Sequence, residues 1–205
     1  IYSQKEREYI ILFEVLGNTE NFSEEALRSS LNISRTTLKH DWDRVEQWLN
    51  QRNLFLTRRP KVGISVQGRE NDFRHALISL ILQIGIESEL MSLSLWGIKP
   101  SHLEDSNPSL ATACILNNIS EWNLSDGWEM VTYIENELVS KFADGEHLAL
   151  TLYWVIMRRR MSQKHFIQLS DERINYLSSR PEYAVVQEII ERLINRISLR
   201  LPPPE

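Results

Sequence analysis

Between Ser23 and Val66 the apolar spacing changes from a helical period to an alternating one, and few folds accommodate that change in so short a stretch. Ser23 can accept a hydrogen bond from a free first-turn amide, and Glu24 and Glu25 fall near the positive end of a helix dipole, so a helix is expected here. Leu27 and Leu31 share one face of it, Asn32 suits the left-handed conformation that ends a helix, Ile33 turns back toward the core, and Ser34 caps a second helix. In that second helix Leu38, Trp42, Val45 and Leu49 recur at spacings of four, three and four, which defines one buried stripe. After Asn53 the period becomes two. Leu54, Leu56 and Arg58 alternate with Phe55, Thr57 and Arg59; beyond a turn at Pro60 to Gly63, Ile64 and Val66 alternate with Ser65 and Gln67. Helix, tight turn, helix and basic hairpin, in that order, is a helix-turn-helix with a wing.

Arg35, Thr36, Thr37, Lys39, His40 and Arg44 fall largely outside the buried stripe. Most of them are hydrogen-bond donors to phosphates and to major-groove base edges, and they gather at the start of the second helix, where a recognition helix meets DNA. Arg58, Arg59 and Lys61 at the hairpin tip would lie over a phosphate backbone. The bland reading of the same residues is a solvated helix face. Winged helices also serve as protein-docking or dimerisation modules without DNA contact, and that reading stands as the alternative.

The rest of the chain reads as helices. Residues 4–17 carry an inward stripe of Tyr9 or Ile11, Leu12, Val15 and Leu16 and complete a three-helix unit with its wing. Phe73, Leu77, Leu80, Ile81 and Ile84 predict a connecting helix from Glu70. The pattern weakens from Gly85 to Asp126, where two short helices flank a loop containing Pro100 and Pro108. It returns in a stripe of Trp128, Val131, Ile134, Leu138 and Phe142. Leu148 to Met157 is apolar nearly all round, as in the central helix of a bundle, and Arg158, Arg159 and Arg160 complement the dipole at its end. Pro181 fits the first turn of a last helix with a stripe of Tyr183, Val186, Ile190, Leu193 and Ile197. The expected fold is therefore mainly α: a winged helix-turn-helix over residues 1–69, a connecting helix and ill-defined helical or loop region over 70–125, and an all-α bundle over 126–205.

Charge and composition narrow the function. Residues 1–75 hold 12 basic and 11 acidic side chains and residues 76–205 hold 11 and 17, so the net charge of −5 belongs to the second part. A near-neutral first part binds DNA if its cations share a face, with an affinity that falls steeply with salt. No apolar run reaches the roughly 18–20 residues of a membrane span, so a cytoplasmic location without a membrane partner is expected. Cys114 stands alone in an apolar run and reads as a small buried hydrophobe. The five histidines show no metal-ligand spacing, and neither a phosphate loop nor a nucleophile-base grouping stands out; no metal, no cofactor and no enzymatic activity are expected.

Two stretches carry a family resemblance. LRSSLNISRTTLKHDWDRVEQWLNQRNLFLTRRPKVGISVQGRENDFRHAL resembles the winged helix, and FADGEHLALTLYWVIMRRRMSQKHFIQL with the later PEYAVVQEIIERLINRISLRLPPPE resembles the phosphotransferase-system regulation domain (PRD), of the mannitol-activator and BglG-like transcriptional regulators. The resemblance implies a homodimer bound to operator DNA, serving a carbohydrate-utilisation operon, and an all-helical PRD-like module reached by histidine phosphocarriers through the full-length chain. Tyr153 stands where the family's first PRD histidine is expected, so no phosphorylation is expected there, and the PRD-like module reads as shortened at its C-terminal end. Arg28 stands where helix-turn-helix units usually carry a small residue.

Overall fold

The computed structural model describes residues 2–17, 23–59, 63–96 and 109–197. The chain is mainly helical with one small antiparallel sheet: α1 Gln4–Gly17, α2 Glu24–Leu31, α3 Arg35–Asn50, β1 Phe55–Arg59, β2 Gly63–Gln67, α4 Glu70–Ile84, α5 Glu87–Trp96, α6 Leu110–Ser120, α7 Leu124–Glu137, α8 Asp144–Ser162, α9 Asp171–Ser178 and α10 Pro181–Ile197. The expected loop around Pro100 lies outside the described residues, as does the turn from Pro60 to Val62. No single described helix is long and apolar enough to cross a membrane.

Local chemistry sets the first helices as the spacing predicts. The Ser23 hydroxyl accepts from the Ala26 amide and the Ser34 hydroxyl from the Thr37 amide, each meeting an otherwise unpaired first-turn donor. Asn32 closes α2 at φ 51°, a conformation that Asn tolerates and most side chains do not. Arg28 stays at the surface, 3.2 Å from Glu25, so it does not wedge α2 away from α3. The hairpin pairs Leu56 with Val66 and Arg58 with Ile64.

α1 is the centre of the assembly. Ile11, Leu12, Val15 and Leu16 are buried as expected, and so are Ile10 and Phe13, because α1 is covered by α3 and β2 as well as by α4 and α6. The Phe13 ring stacks on Trp122 with centroids 5.7 Å apart. Polar ties reinforce the packing of α4: the Tyr9 hydroxyl donates to the Gln83 carbonyl at 3.4 Å, and Trp48 Nε1 donates to Gln83 Oε1 at 3.2 Å. One continuous apolar core therefore runs from the helix-turn-helix through α8.

The later helices depart from expectation in instructive ways. α7 ends at Glu137, so Leu138 and Phe142 are not on its stripe. The cause is Glu135, whose carboxylate accepts from Lys141 Nζ at 2.8 Å and from the Phe142 amide at 2.9 Å, with His147 Nδ1 3.3 Å away; it folds the chain back into α8. Gly127 permits the close approach of the two helices, since a Cβ there would meet Val155 Cγ2 at 2.8 Å and the Thr151 carbonyl at 3.1 Å. α8 buries Leu148, Leu152, Trp154, Val155 and Ile156 but leaves Leu150 exposed, so it is sided rather than enclosed. In α10 Tyr183 and Val186 of the expected stripe are exposed and Ile189 is buried instead, while the side chains of Leu193 and Ile197 lie outside the described ones. Cys114 is exposed, on the outer side of a helix whose buried side carries Ala111, Ile115 and Ile119.

The Glu135 turn has a pH signature. Donation from Lys141, followed by the Phe142 amide, holds its carboxyl at about 2, down from the ordinary 4.5. A carboxyl whose folded pKa is depressed contributes stability that is full above the unfolded value and is lost as pH falls toward the folded one. Urea midpoints measured from neutral pH down to 2 should therefore show an acid loss between 4.5 and about 2 that Glu135→Gln reduces. Parallel curves for the two proteins would refute this assignment.

Candidate nucleic-acid interface

The geometry of α3 follows from what its inner side must do. Leu38, Trp42, Val45 and Leu49 are fully buried, and between them lies a buried carboxylate, Asp41. Asp41 is neutralised across the core by Arg7 of α1, whose Nε and Nη2 donate to its two oxygens at 2.7 and 3.0 Å. Arg7 also donates to the Tyr2 carbonyl, and the proximity of Asp41 raises its already high pKa. A bidentate guanidinium–carboxylate pair fixes direction as well as distance, so it sets the rotation of α3 about its own axis against α1. Arg7 and Asp41 are 34 residues apart, so no local spacing connects them.

With the inner side fixed, the outer side is determined. Arg35, Thr36, Lys39 and His40 are all exposed there, on successive turns at the N-terminal half of α3. Arg35, Lys39 and His40 have no ion-pair or side-chain hydrogen-bond partner among the described residues. The face also carries Asp43, exposed one turn beyond Lys39, which repels phosphate and so marks its limit.

Three other expected residues are engaged internally. The Thr37 hydroxyl lies 2.9 Å from the Ser34 hydroxyl, and the Thr37 amide donates to that same oxygen, so Thr37 belongs to the cap. Arg44 is ion-paired with Glu8 and lies 3.3 Å from Asp41, on the α1 side of the helix. Arg58 donates to Glu46 at 3.0 Å and its guanidinium sits 5.4 Å from the centre of the Trp42 ring. Register explains this last placement: Arg58 pairs with Ile64, which is buried, so it leans toward α3 rather than away from the hairpin. The Arg59 side chain and Lys61 lie outside the described residues.

The described residues contain no group of His, Cys, Asp or Glu side chains able to hold a metal ion. The site is a convex, donor-rich helix face.

Residues 1–80 match the family model of the Mga helix-turn-helix domain, a span that takes in α1, α2, α3, the hairpin and most of α4. The chain is also similar to the transcriptional regulator ManR of Bacillus subtilis (strain 168), with 23% identity over 203 residues. That alignment covers 99% of this chain but 28% of the length of ManR.

Proposed function

We propose that this chain is the DNA-reading portion, with an adjoining control module, of a transcription regulator, and that α3 is the helix presented to the major groove. The observation that carries the proposal is the outer face of α3, where Arg35, Thr36, Lys39 and His40 stand exposed together while the helix is locked from behind by Arg7 and Asp41. Donors that are already desolvated by neither fold nor partner lose nothing internally on meeting phosphates and base edges. The likeness of residues 1–80 to a helix-turn-helix domain and of the whole chain to a transcriptional regulator supports this reading. Thr37, Arg44 and Arg58 take structural roles in it, holding the cap, the α1 face and the hairpin respectively.

The finer reading follows the resemblance. The regulator acts as a cytoplasmic homodimer on a carbohydrate-utilisation operon, α7 to α10 form the PRD-like control module, and phosphocarriers act through the full-length chain. Tyr153 takes no part in phosphate exchange: it is half-buried, with its ring centre 6.1 Å from that of His75 in an edge-to-face arrangement.

Selection of bound sequences from a random duplex pool, followed by titration at low and moderate salt, tests the proposal. A recovered consensus whose affinity falls steeply with salt is expected. Binding without sequence preference overturns it and leaves the protein-docking role.

A further inference from the structure

Where the hairpin exit meets the end of α8, the fold forms a half-open cavity of about 1220 Å3 that the DNA-reading face does not use. Its walls come from β2, the start of α4, the end of α8 with the segment after it, and α9. The ionised groups in this lining are one-sided. Arg69, Arg74, Arg160, Lys164 and Arg173 face two carboxylates, Glu70 and Asp72, a surplus of three positive charges in a chain whose net charge is −5.

The two kinds of cation differ in depth. Arg74 and Arg160 form a buried floor, 1% and 5% exposed, and Glu70 is shared between them. Arg69 just before α4, Lys164 just after α8 and Arg173 on α9 line the same cavity and have no carboxylate partner among the described residues; Arg173 rests over the Tyr176 ring at 5.3 Å. Lys164 is held at φ 67°, a left-handed conformation that a lysine does not adopt without cost. Concave low-dielectric walls concentrate the field of such cations, which favours an anion in the cavity over one on an open surface. Phe73, Met157 and Ile190 supply apolar surface beside them for the body of a small organic ligand.

We propose that this cavity is a binding site for a small anionic metabolite bearing a phosphate or carboxylate group, held by Lys164, Arg173 and Arg69 above the Arg74–Arg160 floor. The ligand would touch Ser65 to Gln67 of the wing and α8 to α9 at once. The inference is independent of DNA binding.

Calorimetric titration and thermal melting of the 205-residue chain with inorganic phosphate and with citrate, against sodium chloride at matched ionic strength, test it. Saturable heat and a raised melting temperature are expected with at least one of the two anions and not with chloride. Whichever anion binds identifies the oxyanion class. Lys164→Asn combined with Arg173→Gln removes two exposed charges, with Asn suited to the positive φ, and should weaken that binding about tenfold or more while leaving the ligand-free melt in place. Arg69→Gln alone should weaken it less. Arg35→Ala with Lys39→Ala should leave it unchanged, which separates this site from the α3 face. The proposal fails if neither anion exceeds chloride, or if binding survives the Lys164 and Arg173 substitutions intact.

Discussion

Arg35→Ala and Lys39→Ala should each weaken specific DNA binding by about 10- to 100-fold, with little change in stability, the loss expected when about 1–3 kcal/mol of base or phosphate contact is removed. Both side chains are exposed and unpartnered among the described residues, and alanine is the strongest helix former, so neither change disturbs α3. The two should differ in kind. A base-contacting arginine loses discrimination at one position of the site, whereas a phosphate-contacting lysine weakens all sequences alike and lowers the salt slope by about one. Arg44→Ala is the matched contrast: it breaks pairs with Glu8 and Asp41, so its effect should appear in the urea midpoint rather than in specificity. Gel-shift or anisotropy titrations at two salt concentrations read all three. If the Arg35 and Lys39 variants bind operator as tightly as the parent, α3 is not the reading helix, and retention of the cellular activity would assign the module to protein docking.

What the sequence conveyed well was everything decided within one or two turns of chain. Ser23 and Ser34 accept from amides three residues on, Asn32 donates its own amide to carbonyls three and four residues back, and the change of period at Asn53 reports a hairpin through its own alternation. Exposure of Arg35, Thr36, Lys39 and His40 followed from the same periodicity. What it did not convey were pairings across long separations: Asp41 with Arg7, 34 residues apart, and Arg160 with Glu70, 90 residues apart. Periodicity assigns a charged residue to the outside, and Arg160, read as a helix-end charge, is buried because its partner lies on α4. The α7 stripe was overrun for a related reason, since the turn is made by Glu135 reaching forward to Lys141 and Phe142 rather than by a glycine or proline. Arg58 shows a subtler gap: alternation placed it at the hairpin tip, but the register with Ile64 decides which way it leans.

The most destabilising single change should be Glu70→Ala. Glu70 accepts from Arg74 Nε at 2.9 Å and from Arg160 Nε and Nη2 at 2.7 Å each, and Arg160 Nη1 donates to the Leu16 carbonyl at 3.1 Å. One carboxylate thus joins the start of α4 to the end of α8, with the last turn of α1 held between them. Deleting it leaves the buried Arg160 guanidinium without its carboxylate and takes from Arg74 one partner, while Arg74 keeps its bond to the His165 carbonyl; breaking a buried pair in this way costs about 3–5 kcal/mol. Against a typical total of about 5–15 kcal/mol, that is enough to unfold much of the population at 37 °C. Replacing all three residues with leucine or methionine should recover most of the loss, because the cost arises from unpaired charge rather than from missing contact. Urea unfolding of the single and triple variants measures both. A single-variant loss under about 1 kcal/mol would mean that water entering through the adjoining cavity already solvates the arginines. A large loss with rescue would instead establish that the junction is held by charge.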